Sequence, residues 1–208
     1  MEVKERIMKK ADDLFNRYGI RSVSMDDIAQ QLGMSKKTLY QYYTDKEELV
    51  AAVFTGTMEE NRQGCLQDQV SAENALHEVF LAFDRVQDMM AQMNPVVLFD
   101  LEKYHPAVFR KFIEYKNGFL YGMIRSNIER GIREEVYRSD FDVDIITRFR
   151  ISSIMLSFNS DVFPSNRNNG VLHIEQEILH FFLHGLSTSK GEKLIQKYIN
   201  QRNKIQVR

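Results

Sequence analysis

Gln31-Leu32-Gly33-Met34-Ser35-Lys36-Lys37-Thr38-Leu39-Tyr40-Gln41-Tyr42-Tyr43 reads as the end of one short helix, a glycine turn and a second short helix. Gly33 can take the left-handed conformation that ends a helix, and Ser35 is a residue type that caps the next one. A helix-turn-helix uses a turn of about this length, often containing glycine. At about 100° per residue, Leu39 and Tyr43 share one face of the second helix. Lys37 and Gln41 lie roughly opposite, flanked by Lys36 with Tyr40 on one side and Thr38 with Tyr42 on the other. The back of this helix is therefore apolar, and its front carries ammonium, amide, hydroxyl and phenol groups. Such a front can meet acceptors on base edges and phosphate oxygens. Taken alone, an ordinary amphipathic helix with a basic solvent face fits the pattern equally well, because helix-turn-helix geometry also occurs outside DNA binders.

Helical signals continue on both sides. Ile7, Ala11, Leu14, Phe15 and Tyr18 form one apolar stripe ended by Gly19. Ser24 before Met25-Asp26-Asp27-Ile28 is an N-cap with acids in the first turn, where the helix dipole favours them. Thr44-Asp45-Lys46-Glu47 reads as a capping box opening a longer helix through Leu49, Val50, Val53 and Phe54. Further on, Leu76, Val79, Phe80, Phe83, Val86 and Met90 predict a helix broken at Asn94-Pro95. One helix is expected from Pro106 to about Arg130, ahead of Gly131, and another from Val143 to Val162. Ser165 to Gly170 is the clearest loop. The last two helices are expected from Ile174 to Leu186 and from Lys190 to Gln201, the second with a capping box in Ser189 to Glu192. Strand signals are absent, so the fold class expected is all-α.

The 208 residues are 43% hydrophobic and 27% charged, enough for a sizeable core. With 10 Gly and 3 Pro the chain is not collagen-like, and Cys65 alone excludes a disulfide framework or a multi-cysteine zinc site. Lys4, Arg6, Lys9 and Lys10 interrupt the first residues, and no apolar run approaches the roughly 18 residues of a membrane span. A soluble, cytoplasmic protein without membrane partners is expected. A net charge of −1 favours no partner class, but residues 51–189 hold 13 basic and 19 acidic side chains. Residues 190–208 hold six basic and one acidic, and Lys36, Lys37 and Lys46 cluster within an otherwise balanced first fifty.

A wider string joins these elements: Ala11-Asp12-Asp13-Leu14-Phe15, Gly19, Ser24-Met25-Asp26-Asp27-Ile28-Ala29, Gly33 through Tyr40, Tyr42-Tyr43 and Asp45-Lys46-Glu47-Glu48-Leu49. It closely resembles the DNA-binding domain of the TetR family of bacterial transcriptional regulators, over about residues 5–54. Lys37 departs from the family pattern, where a small residue, often glycine, is common. The resemblance implies a helix-turn-helix DNA-binding domain over 1–46 and a helical effector-binding and dimerisation domain over 47–208. It implies that Lys36, Lys37, Thr38 and Tyr40, with Gln41 a weaker candidate, face the major groove of a double-stranded operator. Ser24, Ser35, Tyr42 and Lys46 would hold phosphates, while Leu39 and Tyr43 are core.

One three-helix head offers little buried area, so two heads in a homodimer are expected on a palindrome. Ile145, Ile146, Phe149, Ile151, Ile154, Met155, Leu156 and Phe158 surround the 143–162 helix almost completely, and such a helix is buried on more than one side. This helix and the one over 174–186 are the expected dimer surface, a pairing that the resemblance also implies. An unknown small, largely apolar effector is expected in the acidic middle region. Its candidate lining starts with Met89, Met90, Met93, Phe99 and Tyr104 and continues with Tyr115, Phe119, Met123, Met155 and Phe158. Methionine and aromatic residues at helical spacing serve equally as core. Gly118 and Gly122 mark either a close helix approach or a cavity wall.

No Gly-rich phosphate loop, nucleophile elbow or dinucleotide fingerprint occurs, so neither an enzyme nor a cofactor is expected. Glu177, His180 and His184 share the polar face of their helix without a zinc-binding pattern. The expectation is a ligand-responsive, dimeric DNA-binding regulator, a repressor released from its operator by the effector. Two other readings stay open: a helical DNA-binding protein without an inducer, and a small-molecule-binding protein that has lost operator binding.

Overall fold

A computed structural model describes residues 2–92, 94–164 and 170–206, with the backbone alone at 88, 89, 92 and 203–206. Among these residues the secondary structure is helical, apart from an isolated bridge between Tyr137 and Ser187. The elements are α1 (Val3–Tyr18), α2 (Met25–Gln31), α3 (Lys36–Tyr42), α4 (Lys46–Ser71), α5 (Ala75–Gln92), α6 (Val96–Tyr104) and α7 (Pro106–Tyr115). A π turn (Lys116–Leu120) follows, then α8 (Tyr121–Arg133), α9 (Val143–Leu156), α10 (Val171–Leu186) and α11 (Ser189–Gln206). The chain packs as two units, residues 1–61 with 92–115, and residues 62–91 with 116–208.

In the first unit, Ile7, Ala11, Leu14 and Phe15 of α1 meet Ile28 of α2, Leu39 of α3 and Leu49, Val50 and Val53 of α4. Val97 and Leu101 of α6 and Val108 of α7 belong to the same buried cluster. The head's core is thus completed by residues some fifty positions downstream of the helix-turn-helix. Gly19 (φ 81°) and Gly33 (φ 64°) adopt the left-handed backbone expected where α1 and the α2 turn end. The short helix α6 had no counterpart in the sequence pattern. Asn94 starts it, its Oδ1 accepting from the Val96 N–H at 3.0 Å, with Pro95 tolerated in the first turn.

The second unit buries Ala75, Leu76, Phe80 and Phe83 of α5 against Ile128 of α8, Leu179, Phe182 and Leu183 of α10, and Ile195 and Tyr198 of α11. Several expected boundaries are corrected here. The single helix expected from Pro106 to Arg130 is divided by the π turn, and α8 runs through Gly131 to Arg133. Gly131 is a packing residue and not a stop: a Cβ there would lie 2.0 Å from the Tyr137 ring. A Cβ on Gly118 or Gly122 would have open space around it, so neither marks a close helix approach. Helix α9 ends at Leu156 and does not reach Val162, because Asn159 Oδ1 accepts from the Asp161 and Val162 N–H groups and turns the chain.

Two caps sit one residue from their expected positions. At α4 the N-cap is Asp45, whose Oδ1 accepts from Glu48 N at 2.8 Å, while Glu48 reaches back to Thr44 N at 2.7 Å. At α11 the capping oxygen is Thr188 Oγ1, which accepts from Gly191 N, and Glu192 pairs instead with His184 Nδ1 at 2.7 Å. In both places a neighbouring residue supplies the same acceptor chemistry one position earlier or later, which spacing alone does not resolve.

Candidate nucleic-acid interface

The α2–α3 hairpin is built by reciprocal capping. Ser24 Oγ accepts from Asp27 N at 3.1 Å, and Asp27 Oδ2 accepts from Ser24 N at 2.8 Å and from Ser24 Oγ at 2.6 Å. These bonds hold the Asp27 carboxyl below the usual carboxylate range. Gly33 N donates to Gln30 O and Met34 N to Ala29 O, closing the turn. Ser35 Oγ then accepts from Thr38 N at 3.0 Å and lies 2.8 Å from Thr38 Oγ1. One of those two hydroxyl protons is used in their mutual bond, and the other is available to a phosphate oxygen. The Ser24 hydroxyl proton, by contrast, is committed to Asp27.

Leu39 and Tyr43 are fully buried in the head, and Lys4 Nζ stands 5.2 Å over the Tyr43 ring. Burying them turns the other face of α3 outward. Lys36, Lys37, Tyr40 and Gln41 are exposed together there, with Thr38 half-buried at the side. Tyr42 is half-buried and packs on the core. The lysines differ in their surroundings. Lys36 Nζ lies 2.8 Å from Asp26 Oδ1, and hydrogen bonding to that carboxylate raises the pKa of the ammonium. Lys37 has no ion-pair partner among the described residues. Lys46 is half-buried, and its Nζ donates to Ile20 O at 2.6 Å. Burial draws its pKa below the ordinary lysine value, against the pull of Asp100 and Asp27. An ammonium has three donors, so two remain on Lys46 after that bond.

Residues outside the sequence-based candidates fix this surface. Asp100 of α6 is buried, and its Oδ2 accepts from Arg21 N, in the α1–α2 loop, at 2.9 Å. Arg21 Nη1 donates to Tyr104 OH at 3.1 Å, and Asn94 N donates to Asn16 O at 2.7 Å. His105, at the α6–α7 junction, pairs with Glu47 in the first turn of α4. The sequence signal for Asp100 was a carboxylate interrupting the run Val96-Val97-Leu98-Phe99 before Leu101.

The ten effector-lining candidates are divided between the units. Phe99 is 55% exposed with Lys103 Nζ 5.2 Å over its ring, Tyr104 is exposed beside Arg21, and Tyr115 OH donates to Asn61 Oδ1 at 2.7 Å. All three lie in the first unit, so Phe99 and Tyr104 are placed at its surface and not in an interior. In the second unit Met90 is buried, and Phe119, Met123, Met155 and Phe158 are half-buried. Met93 and the Met89 side chain lie outside the described residues. Cys65 is half-buried and accepts from Arg85 Nη2 at 3.2 Å, and burial pushes its thiol pKa up. Among the described residues no group of three or more His, Cys, Asp or Glu is placed to hold a metal ion, and no helix is long and apolar enough to cross a membrane.

Residues 7–53 match the family profile described as bacterial regulatory proteins, tetR family. Beyond the head, the chain is 25% identical over 196 residues to the HTH-type transcriptional repressor KstR2 of Mycolicibacterium smegmatis, an alignment covering 91% of this chain and 93% of that one. The head of the chain is thus similar to the DNA-binding domain of the TetR family, and most of the chain's length is similar to one of its repressors. Solved structures agree in fold. The ketosteroid transcriptional regulator KstR2 of Mycobacterium tuberculosis has a TM-score of 0.63 at 22% identity, over 90% of this chain and 96% of that one. The Thermus thermophilus repressor FadR, solved with lauroyl-CoA, has a TM-score of 0.56 at 18% identity, over 89% and 95%. The chain therefore shares the fold of these regulators, an N-terminal helix-turn-helix followed by a helical remainder.

Proposed function

We propose that this regulator is a cytoplasmic, dimeric repressor that binds a palindromic operator and leaves it when a small effector binds the helical remainder. The observation that carries the reading is the division of α3. Its apolar residues close the head's core, while Lys36, Lys37, Tyr40 and Gln41 stand exposed on the opposite side. These side chains, with Thr38, are assigned to base edges. Ser35, Tyr42 and Lys46 are assigned to phosphates, and Ser24 would join them only by turning its hydroxyl proton from Asp27 to a phosphate oxygen. Repression is supported by the similarity to the repressors KstR2 and FadR, and ligand response by the lauroyl-CoA in the FadR structure.

Dimerisation is supported by apolar side chains that the isolated chain leaves in solvent on α9 and α10. Ile145 is 64% exposed, and Phe149 and Leu156 are also exposed. Phe181 of α10 is 78% exposed. Rings and branched chains presented this way on adjoining helices suit a self-complementary interface. Coupling to DNA runs through α6 and α7. Val97, Leu101 and Val108 plug the head's core, and Asp100 and His105 hold the α1–α2 loop and the α4 first turn. A shift of α6 between two positions would therefore move the elements that set the pose of α3, by as much as the effector's differential affinity allows.

The test is selection of bound DNA from a random pool, repeated with candidate ligands. A two-fold symmetric sequence bound with steep salt dependence is the expected result. Recovery of no sequence above background refutes operator binding. Recovery of a symmetric site that no ligand class releases favours a DNA-binding protein without an inducer.

A further inference from the structure

The α9–α10 pair of the second unit buries groups that a helix pair built only for packing would not carry. Thr147, Arg150, Ser153 and Ser157 of α9 are all buried, and their spacing sets them along one side of the helix. Glu175 of α10 is 1% exposed, and Arg150 Nη2 pairs with its Oε1. The guanidinium also lies over the Phe182 ring at 5.4 Å, with Nη1 3.4 Å from Ser153 Oγ. One atom of this cluster is left over. Glu175 Oε2 is buried and accepts no hydrogen bond from any described residue.

The hydroxyls along this side of α9 are committed elsewhere. Thr147 Oγ1 donates to Val143 O at 2.7 Å, Ser153 Oγ to Arg150 O at 2.8 Å and Ser157 Oγ to Ile154 O at 2.7 Å. Each has given its only proton to its own helix, so none can satisfy the carboxylate. Burial raises the Glu175 pKa overall, and the neighbouring Arg150 opposes that rise. With the guanidinium bonded to Oε1, the ionised form is the one the pair supports, and an ionised Oε2 requires a donor.

We propose that Glu175 anchors the effector of this regulator, its Oε2 accepting from a hydroxyl or amide N–H on an otherwise apolar, uncharged molecule. The inference rests on the reading of the helical remainder as effector-binding, and it names the class of effector. Charge balance selects that class. Arg150 and Glu175 together are neutral, so a neutral donor completes the site without adding buried charge. An ammonium would leave a net positive charge beside Arg150, and a carboxylate would face Glu175 directly.

The experiment uses the full chain and four probes on one ring: cyclohexanol, methoxycyclohexane, cyclohexylammonium and cyclohexanecarboxylate. The carboxyl carbon of Glu175 is followed by NMR in glutamate-labelled protein, assigned by its loss in E175Q, and the melting temperature is recorded alongside. Cyclohexanol is expected to move the Glu175 signal and raise the melting temperature. Methoxycyclohexane, which has no donor, should do neither. In E175Q, cyclohexanol should bind about tenfold more weakly, the size of one hydrogen bond to a charged acceptor. The double variant R150M/E175L, which replaces the pair with apolar side chains, should bind cyclohexanol and methoxycyclohexane alike while melting cooperatively. Equal responses to those two probes in the wild-type chain, a stronger response to the ammonium or the carboxylate, or a Glu175 signal that none of the four moves would each overturn the proposal. Operator binding by the same wild-type preparation is measured without probe. Its loss would sink the regulator reading, whereas its presence beside a silent Glu175 would sink the anchor alone.

Discussion

Replacing Asp100 with alanine removes the acceptor that fixes the α1–α2 loop, and the consequence can be worked from one bond. Asp100 is buried, and its Oδ2 lies 2.9 Å from the Arg21 amide nitrogen. No other acceptor for that N–H is found among the described residues. A hydrogen bond to a charged group contributes about 1.5–3 kcal/mol. Taking about 2 kcal/mol, and a factor of ten for every 1.4, the Arg21 amide should exchange with solvent deuterium about 30-fold faster in D100A than in the wild type. Asparagine keeps a neutral oxygen at the same place, and neutral acceptors are about half as strong. D100N should therefore accelerate the same amide only about fivefold. Exchange at buried Leu14 and Phe15 should change less than at Arg21, because the bond holds the loop and not the whole head. Operator affinity should fall in the same order, alanine below asparagine below wild type, since the loop leads directly into Ser24 and the α2 cap. Exchange at Arg21 in D100A within twofold of the wild type would refute the reasoning, as would equal acceleration in the two variants.

The lysines of α3 should part company under substitution. K37A should change which base is preferred at one operator position and lower the salt slope by about one, read by quantitative binding to a randomised site. D26N frees Lys36 from its carboxylate and removes a negative charge from the same surface, so tighter DNA binding with a steeper salt slope is expected; weaker binding would contradict the placement. F181E should convert the protein to a monomer in sedimentation equilibrium with its helical circular dichroism retained, and an unchanged dimer would move the interface elsewhere. For pH, the Asp27 and Glu48 carboxyls are both held below their ordinary values, by Ser24 and by Thr44. Their contribution is complete above the unfolded carboxylate pKa and is lost as pH falls through the lower folded values. The stability difference between wild type and D27N, followed by tyrosine fluorescence because the chain has no tryptophan, should therefore shrink toward zero on acidification below about pH 4.

The parts of this fold that were legible in the sequence are those specified by neighbours a few residues apart. Gly19, Ser24, Gly33 and Ser35 punctuate α1, α2 and α3 through contacts spanning three or four positions, and the wheel of α3 separates Leu39 from Lys37 with no tertiary information. Helix α6 was missed because Asn94-Pro95 and Pro106 bracket it, and because few of its residues form a repeating stripe. The π turn at 116–120 was passed over although Asn117 and Gly118 are poor helix formers, because an isolated glycine is tolerated within an otherwise helical pattern. The partners of the candidate site residues were out of reach for a different reason. Lys36 meets Asp26 ten positions away and Lys46 meets Ile20 twenty-six positions away, and no local spacing encodes either bond. Arg150 and Glu175 were passed over because charged residue types are usually solvated, as their near neighbours Arg148 and Glu177 are.

The plug that Val97, Leu101 and Val108 insert into the head has a consequence for anyone cutting or recombining this gene. A fragment ending at residue 61 would leave the cluster around Ile7, Leu14 and Val53 without its α6 and α7 members, one ending at 46 would lose Leu49, Val50 and Val53 as well, and both should collapse or aggregate. Chimaeras that graft this reader onto a foreign receptor need three crossovers, so that residues 92–115 travel with the first sixty. On the proposed function, specificity for a promoter and the segment that would relay a chemical signal are thus inherited as one discontinuous cassette.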